Sequence, residues 1–215
     1  MPSWLLLQLA DSAFPTGGFA HSAGLEAAMH AGTVELDGFA REALWQAGHG
    51  SLPLVTAAHR EPSRMAVLDA RNDSFLPNHV SNRASRTQGR ALLDTCARIF
   101  ADRIAPLREQ ARAARSKLHH APLFGAILRA LDIDLVDAQR LHLHLTLRGV
   151  VSAAVRLGLV GTHQAQALQA ALAPALDEVL STCGAFGVED LAQTAPLLDL
   201  FAATHDRLYS RLFQS

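Results

Sequence analysis

The stretch Asp134-Leu-Val-Asp-Ala-Gln-Arg-Leu-His-Leu-His-Leu-Thr-Leu-Arg-Gly-Val-Val-Ser-Ala-Ala-Val-Arg-Leu157 is the clearest helical pattern in the chain. Leu141, Leu145, Val151 and Val155 recur at helical spacing and mark one buried face, with Arg148 as a polar interruption. Asp134 stands where it can cap the first turn, and Asp137 adds negative charge near the positive end of the helix dipole. Gly149 costs about 1 kcal/mol against Ala in a helix interior, a cost that a closely packed neighbouring helix would explain.

Working outward, the same periodicity fills most segments between Gly and Pro punctuation. Helices are predicted over 3–10, 22–31, 36–47, 52–60 and 62–71, with Pro62 at a first helical turn. A weak segment, 72–77, interrupts before a long pattern over 78–101. Further helices are predicted over 105–119, 122–131, 163–172, 174–183 and 188–213, with Pro196 dividing or kinking the last. No hairpin chemistry, fixed-period repeat or linker is evident. The expected fold is all-α: one helical bundle of about ten or more helices spanning residues 1–215.

Composition agrees with that class. The chain has 215 residues, enough for a sizeable core, and is 49% hydrophobic and only 18% charged. Ala and Leu dominate over β-branched and aromatic residues, which favours helix. A formal net charge of -1 argues against a nucleic-acid partner. The start lacks a basic leader, and no apolar run approaches the roughly 20 residues that cross a bilayer. A cytoplasmic protein without a membrane partner is expected. Cys96 and Cys183 are far apart in helical surroundings and read as two buried free thiols in preference to the alternative, a disulfide.

Motifs for chemistry are weak. Among eleven histidines, His119 and His120 are adjacent and His142 and His144 are two apart. Neither pair has the i,i+4 spacing that brings two imidazoles to one ion, and there is no Cys-x-x-Cys. Ala20-His-Ser-Ala-Gly24 superficially matches a nucleophile elbow, but a bend rather than a strand precedes Ser22. Ser22 reads instead as a helix N-cap, with Glu26 placed to favour the dipole. Thr16-Gly-Gly18 lacks the Gly-Lys-Ser/Thr of a phosphate loop, the first Lys being Lys117. No enzymatic equipment and no stably bound cofactor are expected.

Three segments instead suggest protein contacts. Pro15 restricts Phe14, while Gly17 and Gly18 open backbone angles closed to other residues. Phe14 and Phe19 flank this bend and are either buried or offered to a partner. Arg83, Arg86 and Arg90 form a basic stripe if helical, either a solvated face or a surface for an acidic partner. Gly89 beside them would allow a close helix crossing. In the tail, residues 204–215, Tyr209 shares an apolar side with Leu208, Leu212 and Phe213. Such an aromatic, Arg-bearing segment suggests docking on its own domain or on a partner.

Four blocks together resemble the UreF family of urease accessory proteins. They are the opening 4–26, Ala84-Ser-Arg-Thr-Gln-Gly-Arg-Ala-Leu-Leu93, Val151-Ser-Ala-Ala-Val-Arg-Leu-Gly-Leu-Val-Gly161 with Gln164 and Gln166, and Tyr209-Ser-Arg-Leu-Phe-Gln-Ser215. Phe14-Pro-Thr-Gly-Gly-Phe-Ala-His-Ser22 is similar to the plant-like form of the opening, while about 50–77 matches poorly. The resemblance implies a helical homodimer bridging the urease scaffold, called UreD or UreH, and the nickel-carrying GTPase UreG. Nickel would be handled by the assembled complex and delivered to apo-urease. The resemblance assigns Tyr209, Arg211, Leu212 and Phe213 to scaffold docking or to ordering the tail, with Phe14, Pro15, Gly17, Gly18, Phe19 and His21 near the same surface. The rival reading is a helical adaptor unrelated to urease, using the same bend and the Arg83, Arg86 and Arg90 stripe.

Overall fold

The computed structural model describes residues 4–32, 34–76 and 78–215, so Ser3 and Pro77, which end two expected segments, lie outside it. Among the described residues the regular elements are all helical. They are α1 (Trp4–Ala10), α2 (Leu25–His30), α3 (Leu36–Gly50), α4 (Leu52–Arg60), α5 (Met65–Phe75) and α6 (His79–Ile99). Then follow α7 (Ala101–Ala113), α8 (His120–Ala130), α9 (Leu135–Arg156), α10 (Thr162–Ala171), α11 (Ala173–Cys183) and α12 (Pro196–Thr204). The all-α expectation holds.

Helix α8 is the most enclosed element. Every residue from Ala121 to Leu128 is buried, and α4, α5, α6, α7 and α9 all pack on it. Its backbone crosses α4 at Gly125, where a Cβ would meet the Val55 carbonyl oxygen at 2.1 Å. It meets α6 at Gly89, where a Cβ would fall 2.0 Å from the Leu118 oxygen, so the close crossing expected there exists. Around α8, residues such as Leu54, Met65, Leu68, Ile104, Leu123 and Ile127 form one apolar cluster. A second, with Leu25, Leu44, Leu52, Leu143, Leu147 and Val179, lies among α2, α3, α9 and α11. Each fully buried Leu or Ile contributes roughly 1.5–3 kcal/mol. Helix α9 joins the clusters, giving Ala138, Leu141 and the half-buried Leu145 to the first and Leu143, Leu147 and the apolar residues beyond to the second. Cys96 and Cys183 are buried free thiols, and burial pushes Cys96 up to about 12.

Several expected boundaries move, each for a local reason. The weak segment 72–77 is helical to Phe75, because Asn82 Nδ2 donates to the carbonyls of Asp73 and Leu76 and closes that helix end. Helix α7 begins four residues early, with Pro106 inside it, so that Ile104, Leu107 and Ala111 face the core in one register. It stops at Ala113, where Arg115 turns left-handed at φ 50° and Ser116 N–H bonds back to the Ala111 oxygen. Beyond it, the buried Asp69 carboxylate accepts Lys117 N–H at 2.5 Å and His119 N–H at 2.7 Å, holding 117–119 out of helix. Pro196 does not kink a helix over 188–213; it starts α12. The preceding residues lie along α3, with Gln46 Oε1 accepting Thr194 N–H at 2.7 Å and Ala195 N–H at 2.9 Å.

Asp134 occupies the N-cap position of α9, but its side chain makes no capping bond. Ser22 is not the N-cap of α2 either; Gly24 is, at φ 89°, where α12 backbone lies 3.0 Å from a would-be Cβ. Nor does any neighbour explain Gly149, since nothing lies within 4 Å of a Cβ there.

Candidate functional site, a junction of the opening turn and the tail

The opening turn is pinned on both sides. Asp11 Oδ1 accepts Ala13 N–H at 2.7 Å, and the Pro15 carbonyl accepts Thr95 Oγ1 from α6 at 2.7 Å. Gly17 adopts φ 76° with Ala91 Cβ 3.2 Å from its would-be Cβ, so a side chain there meets both strain and contact. The two aromatics divide. Phe14 is buried in the first apolar cluster, whereas Phe19 is 69% exposed. Arg156 from α9 covers Phe19, its guanidinium carbon 3.8 Å from the ring centre, and donates to the Phe19 carbonyl. The same guanidinium lies 4.2 Å from the centre of the Phe213 ring.

Residues 208–215 form no helix, and their main chain is held by the opening segment. Gln214 N–H bonds the Ala20 oxygen at 2.8 Å, Ser22 N–H the Ser215 oxygen at 2.5 Å, and Ser22 Oγ the same oxygen at 3.0 Å. His21 Nδ1 and Ser215 Oγ are 2.5 Å apart. Glu26, buried in the first turn of α2, accepts Leu212 N–H at 2.6 Å, Phe213 N–H at 3.1 Å and His205 Nε2–H at 2.8 Å. Burial pushes its carboxyl up, but the Leu212 N–H, the His205 ring and the Phe213 N–H outweigh that and hold it below its ordinary value.

The tail does not carry its aromatics on one side. Phe213 is buried in the second cluster, Tyr209 is fully exposed and Leu212 is more than half exposed. An expected shared apolar face of Tyr209 with Phe213 is therefore absent, because residues 208–215 form no helix and the i,i+4 neighbourhood of these two rings is lost. Nor are the three arginines of α6 alike. Arg83 makes a bidentate pair with Asp206 at 2.9–3.1 Å, joined there by Arg211 at 3.0 Å and His79 at 3.3 Å. Asp206 lies below its ordinary carboxyl value, chiefly through Arg83. Arg86 is half-buried and Arg90 exposed. Pro15 is exposed, while Gly17, Gly18 and His21 are half-buried.

A cavity of about 1060 Å³ opens beside this junction, lined by His21, Ser85, Gln88, His120, His142 and Arg148 among others. Burial lowers His21 and His120 to about 4 and His142 to about 3, helped by charged or imidazole neighbours. Ser51 Oγ lies 2.7 Å from His142 Nε2. His119, fully buried, sits between Ser85 Oγ at 3.1 Å and Asp73 Oδ1 at 3.0 Å. Among the described residues, no group of three or more His, Cys, Asp or Glu side chains is set to hold a metal ion. No described helix is long and apolar enough to cross a membrane.

Sequence reasoning missed Arg156, His205 and Asp206 as site residues and gave Glu26 only a dipole role. The signal available was an acid amid Leu25-Glu-Ala-Ala-Met29, since a carboxylate on an apolar turn needs buried partners.

Comparison with known proteins bears on the same elements. The family model UreF matches residues 25–173. Urease accessory protein F of Oryza sativa subsp. indica is 39% identical over 219 residues, covering 98% of this chain and 84% of the rice protein. Urease accessory protein F of Arabidopsis thaliana is 37% identical, over 99% of this chain and 92% of its own length. Urease accessory protein UreF of Trichodesmium erythraeum (strain IMS101) is 29% identical over 97% of this chain and 94% of its own length. The relatives cover nearly the whole chain and the family model covers α2 to the start of α11, and the chain belongs to the UreF family.

Proposed function

We propose that this protein acts in urease maturation as a non-enzymatic bridging factor. It joins the UreD/UreH scaffold to the UreG GTPase, so that nickel passes to apo-urease without free diffusion. The observation that carries this reading is similarity to urease accessory proteins along nearly the whole chain. The junction supports it by offering Tyr209 and Leu212 outward on a main chain fixed from within. Residues 204–215 serve as the scaffold-docking segment of a single helical unit, and the protein works as a cytoplasmic homodimer whose dimer face receives the GTPase. GTP hydrolysis gates transfer through different affinities of the nucleotide states for this protein.

The test is co-purification with the source organism's scaffold and GTPase, sized by light scattering. A defined three-component complex is expected, lost in the double variant Tyr209→Ala, Leu212→Ala, which leaves every main-chain bond of the tail in place. No association in any nucleotide state would leave a helical adaptor unrelated to urease. Equal affinity for the GTP- and GDP-bound GTPase would remove the gating step alone.

A further inference from the structure

The tail lacks internal regular structure, yet it passes abruptly from four exposed residues, 209–212, to the buried Phe213. Leu208 N–H bonds locally to the His205 oxygen at 3.1 Å. The other main-chain bonds of the segment go to Ala20, Ser22 and Glu26. Of these three, Glu26 alone supplies a charged acceptor, and it takes two successive N–H groups on its two oxygens. Charge-assisted bonds of this kind are roughly twice as strong as neutral ones. Two successive N–H groups converging on one carboxylate fix the backbone between them, as in an anion-binding nest. With that backbone fixed, Phe213 enters the second apolar cluster beneath Arg156, and Leu212 must face outward.

From this geometry we infer that Glu26 is the positioning residue of the tail: its carboxylate sets which side chains the segment hides and which it offers to a partner. His205 completes the arrangement from the other end of the segment, its Nε2–H held by the same Oε2 that accepts Phe213 N–H. The grip thus spans 205 to 213. Two substitutions separate its parts. In Glu26→Gln one oxygen remains, and the amide NH₂ confronts a backbone N–H it cannot bond. In Glu26→Ala both acceptors go. The functional weight of this device rests on the docking role proposed above for the tail.

The experiment is hydrogen exchange by mass spectrometry on the full-length chain, with binding to the scaffold measured on the same preparations. Glu26→Gln is expected to speed exchange in peptides covering 208–215 by about tenfold, and Glu26→Ala by more, while α4 and α8 keep wild-type protection. Unchanged tail exchange in a folded Glu26→Ala protein would overturn the inference. Loss of protection spread equally over α8 in both variants would also overturn it, showing a general core role. Should Glu26→Ala not fold, the isosteric Glu26→Gln decides alone. Binding separates the two readings. A released tail with undiminished scaffold affinity keeps Glu26 as the positioning group and removes the docking role. Lost affinity with an unreleased tail does the reverse.

Discussion

The guanidinium of Arg156 lies 4.2 Å above the centre of the Phe213 ring, and its other neighbour is the Phe19 ring at 3.8 Å. One side chain of α9 thereby clamps the opening turn and the tail together. Each cation–π contact contributes about 0.5–2 kcal/mol, more as it is desolvated. Arg156→Ala is therefore expected to cost about 1–3 kcal/mol in urea unfolding, with Arg156→Lys recovering part of it. An unaltered midpoint in Arg156→Ala would mean that the sandwich holds nothing.

Two glycines in long helices predict opposite outcomes. Gly89→Ala drives a methyl into the Leu118 carbonyl, which is backbone and cannot step aside. A loss of about 3 kcal/mol is expected by thermal or urea denaturation. Gly149→Ala meets nothing within 4 Å in this chain and should stabilise it by about 1 kcal/mol. Matching signs for the two would contradict the packing described.

The buried histidines set a pH window. Burial pushes His142 down to about 3 and His120 down to about 4 in the folded chain, both below the ordinary imidazole value of about 6.5. Between those values the unfolded chain binds more protons, so stability falls as pH drops below 6.5. Each such histidine contributes a slope approaching about 1.4 kcal/mol per pH unit. Glu26, whose carboxyl lies below its ordinary value, adds a loss only as the pH falls through the carboxylate range. Urea midpoints at pH 7, 6 and 5 should decline in the wild type and decline less in His142→Gln. A flat series would show these imidazoles to be accessible to protons when folded.

Helical class was legible because helices such as 134–157 and 78–101 announce themselves by spacing, and their observed ends shift by only one or two residues. Boundaries failed where a distant side chain decided them. Asn82 extends α5, Asp69 pulls 117–119 out of helix, and Gln46 lays out the residues before Pro196. Asp69 and Gln46 act across 50 and 148 residues, beyond any local window. Asn82 is near in sequence but acts through a side-chain bond that periodicity does not report. The junction was legible in part for the same reason: Phe14, Phe19 and Phe213 were visible as unusual residues, but which would be buried was not. That sorting depends on Glu26, 187 residues before Phe213, and on Arg156 at the end of α9, both far outside the tail in sequence.

The bond between Glu26 and His205 joins residues 179 positions apart. Chains emerge from the ribosome N-terminus first, at about 5–20 residues per second. Glu26 is therefore made roughly ten seconds or more before its partners, and α2 waits with an unmatched acid on its inner face. The outward-facing Leu212 takes its place only after translation has passed residue 213. A partner that recognises this junction therefore meets only chains in which Glu26 and residues 205–213 have both been made and have closed on one another.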